Sequence, residues 1–152
     1  MDGAADLTPP SYDDDLHAWA KRQAAAIRAR DWDALDWEHL AEEVETLGAS
    51  DRRELENRIA TILEHLLKLD HGRNREPENG WKQTILTQRS RLERLLKRVP
   101  SLAPSVGDVI LAEYPTARRD ALKSFAIFEP DVDYDAVLPP ECPYDEAAVL
   151  GR

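Results

Sequence analysis

The sequence predicts an all-α fold, an antiparallel helical bundle of four to five helices with a Pro-rich extended C-terminal arm. Apolar residues recur three and four apart over most of the chain, the spacing of a helix face. Hardly any segment alternates apolar and polar residues as a half-buried strand would. Past residue 129, Pro130, Pro139, Pro140 and Pro143 forbid regular structure of any length. The 152 residues are expected to form a single helical domain, with a loose N-terminus at 1–11, a bundle at 12–128 and a docking arm at 129–152.

The acidic run Asp13, Asp14, Asp15 supplies an N-cap and favourable first-turn charge for a helix through Leu16, Trp19, Gln23 and Ile27 to about Arg30. A turn carrying Trp32 and Leu35 follows. Asp36 then caps a helix bearing Trp37, Leu40, Val44 and Leu47, and Gly48 is placed to stop it. Ser50 or Asp51 starts the next, whose stripe of Leu55, Ile59, Ile62, Leu63, Leu66 and Leu67 is the strongest in the chain. The polar stretch from His71 to Asn79 is a loop. Asn79 caps a helix with Trp81, Ile85, Gln88, Leu92, Leu95 and Val99 on its inner line, closed by Pro100. Ser101 caps the last long stretch, to about Phe128, which Pro115 should kink or split. One turn of helix is expected at Asp145 to Leu150.

Charge is unevenly spread. Residues 1–50 hold 12 acids against 4 bases, a net −8; residues 51–99 hold 8 against 12, a net +4; the remainder is again acidic, bringing the total to −10. In one reading the basic middle is neutralised by its acidic neighbours. In another, the segment 73–98 forms a phosphate or single-strand patch with Trp81 as a stacking platform. A net −10 argues against nucleic acid, whose non-specific binding is mostly electrostatic. The single cysteine, Cys142, excludes a disulfide framework within one chain. No run approaches the roughly 20 apolar residues of a membrane span, and the start is not leader-like, so the expected location is cytoplasmic, with no membrane contact.

Chemistry-bearing residues are sparse. His39 and Glu42 lie three apart with Asp36 on the same side, but no Glu-x-x-His occurs. No metal and no cofactor is therefore assigned. No phosphate loop, nucleophile elbow or His-Glu-x-x-His appears. Trp19, Trp37 and Trp81 all fall on apolar stripes and read as core anchors. Gln88 is polar on an inward line, with Arg89 beside it, and must find partners. Glu42, Glu43 and His65 are the candidates to face them across the bundle.

Together these residues resemble a known family. Tyr12-Asp13-x-Asp15-Leu16-x-Ala18-Trp19, Leu40-Ala41-Glu42-Glu43-Val44, His65-Leu66-Leu67-Lys68, Trp81-x-x-Thr84-Ile85-x-x-Gln88-Arg89 and Pro140-x-Cys142-Pro143-Tyr144 are similar to the bacterial family known as domain of unknown function 29. The resemblance implies a stand-alone, all-helical bacterial domain and names no activity. Its typical residues include Glu42, Glu43, His65, Trp81, Gln88 and Arg89. The typical Lys-Trp pair reads Lys68-Leu69 here, which removes one aromatic.

The reading that follows is a non-catalytic protein-interaction or regulatory module, pairing with a second copy or another protein. Its competitor is an enzyme on a phosphate-containing substrate, or a metal-dependent hydrolase, with Glu42, Glu43 and His65 as catalytic candidates and Trp81, Gln88 and Arg89 as binding residues. A weaker third is nucleic-acid binding through 73–98.

Overall fold

Asp15 opens the first helix, α1 (Leu16–Ala29), by accepting the Ala18 N–H at 3.0 Å. The computed structural model describes residues 9–152, which form six α-helices and two short 3₁₀ segments. The chain divides into two compact units, one up to Gly48 and one from Ala49 onward.

In the first unit, α1 ends at Arg30, which takes a left-handed backbone (φ 56°) and donates to Ile27 O while Asp31 N–H reaches Ala26 O. That conformation costs a residue with a Cβ about 1 kcal/mol. A 3₁₀ turn, Trp32–Ala34, leads to Asp36, whose carboxylate accepts the His39 N–H at the start of α2 (Trp37–His71). Trp19, Gln23 and Leu35 are buried here. Trp37, expected as a core anchor, is 61% exposed instead. It is the first residue of α2, and Trp19 already fills the space between the two helices.

α2 corrects the expected segmentation. It runs unbroken for 35 residues through Gly48, so the two helices expected there are one. A glycine stop needs a left-handed residue, and among the described residues only Arg30 and Gly151 have positive φ. Interior glycine costs roughly 1 kcal/mol, less than the hydrogen bonds a break would forfeit.

The second unit is built on the part of α2 from Ala49 onward. Leu55, Ile59, Ile62, Leu63 and Leu67 have no exposed surface and form its spine. α3 (Glu78–Arg98) returns antiparallel: Arg98 at its end pairs with Asp51 and Glu54, while Trp81 at its start lies against Gly72. A Cβ on Gly72 would meet the Lys68 carbonyl at 2.7 Å and the Trp81 ring at 3.0 Å, so the turn requires glycine. α3 starts one residue before Asn79, after Pro77. Ser101 does not cap the next helix, because Pro100–Ser105 form a 3₁₀ segment and α4 (Val106–Phe128) follows. α4 contains Pro115 without splitting. Pro115 and Leu111, whose carbonyl loses its helix partner, are both exposed, which lowers the cost of the missing bond.

The C-terminal arm docks on this unit. Tyr134, Leu138 and Val149 are buried, and two short helices, α5 (Tyr134–Val137) and α6 (Glu146–Leu150), interrupt it. Some of its carbonyls accept from its own backbone, and others are taken by side chains. Arg118 donates to the carbonyls of Asp135, Leu138 and Pro139, and Tyr114 OH to that of Pro139 at 2.6 Å.

Gly48→Ala should stabilise the protein by about 0.5–1 kcal/mol, because a Cβ there meets nothing within 4 Å. Chemical denaturation measures it. A loss of stability would place Gly48 in a left-handed stop.

Candidate functional site

Concave regions open in both units. The first is a groove of about 610 Å³ between α1 and the start of α2, walled by Leu16, Trp19, Ala20, Ala24, Ile27 and Leu40, with Glu43 at its edge. Leu16 is 50% exposed and Ile27 46%, and further along α2 Val44 and Leu47 stand open to solvent.

Below the groove lies a polar and aromatic cluster. Tyr12 stacks on His39 at 4.0 Å and meets Trp19 edge-on at 5.0 Å. The Tyr12 hydroxyl donates to Glu43 Oε1 at 2.7 Å, and this bond, with burial and further acid charge, pushes the phenol up to about 12. Asp36 accepts from Trp19 Nε1 at 3.1 Å and lies 2.7 Å from His39 Nδ1; Gln23 Oε1 accepts the Asp36 N–H at 2.8 Å. The Asp36 hydrogen bond raises the His39 imidazole above its ordinary value and holds Asp36 below its own.

In the second unit, a cavity of about 340 Å³ is lined by Trp81, Pro77, Phe125 and Phe128, with Lys68 and Glu129 contributing polar atoms. Lys68 is buried and held by Glu64, and Glu129 takes the backbone N–H groups of Arg73 and Asn74 and the Tyr134 hydroxyl. On another part of that unit, a polar cavity of about 480 Å³ between α2 and α3 is lined by Ser50, Arg53, Asn57, Arg58 and Gln88.

The residues singled out from sequence take separate places. Glu42 is exposed and Glu43 is bound to Tyr12, both in the first unit. His65, in the second, is half-buried with Nδ1 2.9 Å from the Thr61 carbonyl one turn earlier, and burial holds its imidazole below its ordinary value. Gln88 Oε1 accepts from Arg58 Nη1 at 3.0 Å, so its partner is a residue the sequence reading passed over rather than His65 or the glutamates. Arg58 sits three residues after Leu55 and one before Ile59, beside the apolar stripe, which was the available signal. Arg89 donates to the carbonyls of Val149 at 3.0 Å and Ala148 at 2.6 Å, closing α6. Trp81 lines the aromatic cavity. Among the described residues, no three of His, Cys, Asp and Glu gather closely enough to hold a metal ion. Cys142 is half-buried, and burial pushes its thiol up, away from the thiolate a nucleophile needs.

A family model described as Domain of unknown function DUF29 matches residues 11–152. The chain belongs to the DUF29 family. No curated protein and no solved structure matches it. The family match spans both units of this DUF29 chain, the groove and the two cavities included. No helix among its described residues is long and apolar enough to cross a membrane.

Two outcomes follow for the DUF29 chain. Proton NMR titration should place the His39 midpoint above, and the His65 midpoint below, that of an unstructured histidine. With its pKa raised, His39 contributes stability below its unfolded value that is lost as pH rises through the folded one. With its pKa lowered, His65 opposes acid: stability falls as pH drops through its unfolded value, and His65→Gln should flatten that limb. Arg89→Met should cost about 2 kcal/mol, the worth of charge-assisted bonds to two carbonyls, as read from urea denaturation.

Proposed function

We propose that this chain is a non-catalytic protein-interaction module of the cytoplasm, and that its first unit binds a basic amphipathic helix of another protein in the groove between α1 and α2. The observation that carries this reading is the combination of apolar walls and acidic surroundings. Leu16, Ile27, Val44 and Leu47 expose apolar surface along two neighbouring helices, an arrangement that a third helix covers with anchors three and four residues apart. The first 48 residues carry a net −8, and Glu43 lines the groove itself. A second copy would bring the same −8 to the contact, whereas a lysine- and arginine-flanked helix gains from it.

The aromatic cluster supports a scaffold role for the polar residues beneath the groove. Tyr12, Asp36, His39 and Glu43 are joined to one another and to Trp19 by hydrogen bonds and ring contacts, which holds α1 against α2.

The test uses the full chain and a designed helical peptide with leucines on one face and lysines beside them. Fluorescence anisotropy should show saturable binding that Ile27→Asp or Leu47→Asp weakens at least about tenfold, with circular dichroism unchanged because both side chains are exposed. A glutamate-flanked version of the peptide should bind more weakly. The reading is overturned if neither peptide binds at millimolar concentration, if the glutamate version binds equally well, or if sedimentation shows a dimer that Ile27→Asp dissociates.

A further inference from the structure

We propose that the seam between α2 and α3 in the second unit is a binding site for a small molecule carrying two or more phosphate groups. The proposal is independent of the groove in the first unit. Arg58 lies at the centre: it donates through Nε and Nη2 to Glu54 Oε1, at 2.9 and 2.6 Å, and through Nη1 to Gln88 Oε1 at 3.0 Å. Glu54 Oε2 is taken by Arg98 at 3.1 Å, and Arg98 also reaches Asp51 at 3.0 Å. Both oxygens of the one carboxylate lining the seam are therefore occupied by guanidinium groups.

Cavities open on either side of this pair. The larger, about 480 Å³, is lined by Arg53, Arg58, Asn57, Ser50 and Gln88, with Glu54 and Thr61. With the Gln88 carbonyl engaged by Arg58, its NH₂ donors remain for a ligand. The smaller, about 260 Å³, is lined by Arg58, Arg91, Arg94 and Arg98, with Glu54 and Leu95. The ion pairs of the described residues leave Arg53, Arg91 and Arg94 without a carboxylate. Five arginines thus line two adjoining hollows whose one lining carboxylate is Glu54, with Asp51 paired to Arg98. Guanidinium forks match phosphate oxygens two at a time, and a hollow on each side of Arg58 suits two oxyanions in one molecule.

The same features select against nucleic acid. Neither cavity has an aromatic side chain on which a base could stack. A chain of net −10 also repels a long polyanion, whereas a short one feels mainly the local arginines.

Calorimetric titration of the full chain with inorganic triphosphate should give saturable one-to-one binding, and orthophosphate should bind at least about tenfold more weakly because it fills one hollow only. Arg53→Gln and Arg94→Gln, both at exposed positions and free of ion pairs, should each weaken triphosphate about tenfold with circular dichroism unchanged, while Arg73→Gln, in the loop after α2, should leave it intact. The proposal fails if triphosphate gives no saturation at millimolar concentration in low salt, or if Arg73→Gln matches the other variants. It fails equally if a short RNA duplex or a polyglutamate peptide binds more tightly than triphosphate.

Discussion

The apolar stripe of α2 from Leu55 to Leu67 is the constraint on which the second unit depends. A helix with five side chains fully removed from water cannot stand alone, and every other element there is placed by what it contributes to covering that stripe. α3 supplies Ile85, Leu92 and Leu95, α4 supplies Val106, Val109, Ile110, Ala117, Ala121 and Phe125, and the arm supplies Tyr134, Leu138 and Val149. The alanines of α4 matter as much as its larger residues, because small side chains at Ala117 and Ala121 leave room for close approach.

The arm could not hold its position on apolar burial alone. Four prolines limit how far it can pair its own carbonyls, and a buried carbonyl without a donor costs about as much as a buried side chain returns, on the order of 1–3 kcal/mol. Arg118 and Arg89 resolve this by donating several bonds each into the arm, and Tyr114, Tyr134 and Tyr144 add hydroxyl contacts to Pro139, Glu129 and Asp70. Stacking of Tyr134 on Phe125, with centroids 3.7 Å apart, joins the polar fastening to the core. Of the arginines in the basic segment 73–98, Arg89 is structural, as is Arg118 outside it, while Arg91 and Arg94 stand with Arg53 of α2 at the α2–α3 seam.

The first unit follows a different economy. Its buried residues are few, and Trp19 and Gln23 are fixed by hydrogen bonds to and from Asp36 rather than by a large apolar core. The leucines and isoleucine that would complete such a core, Leu16, Ile27 and Leu47, stay open. That contrast between a unit with a large apolar core and one with few buried residues underlies the assignment of the two binding roles to different parts of the chain.

The sequence by itself determined the helical class, the break between α2 and α3, though not its bounds, and the dominant stripe of α2. All of these rest on periodicity or on the backbone limits of proline, which are local. It misplaced Trp37 and read a helix end at Gly48, because a glycine stops a helix only when the surrounding chain holds it left-handed, and no local signal reports that. The partners of Gln88 and Arg89 were likewise decided by tertiary structure. A long polar side chain has several acceptors within reach of its helix position, and which one it meets depends on the rotation of α3 against α2 and on where α6 ends. Pattern in the chain identifies the face that must be covered; only packing decides which groups lie beneath it.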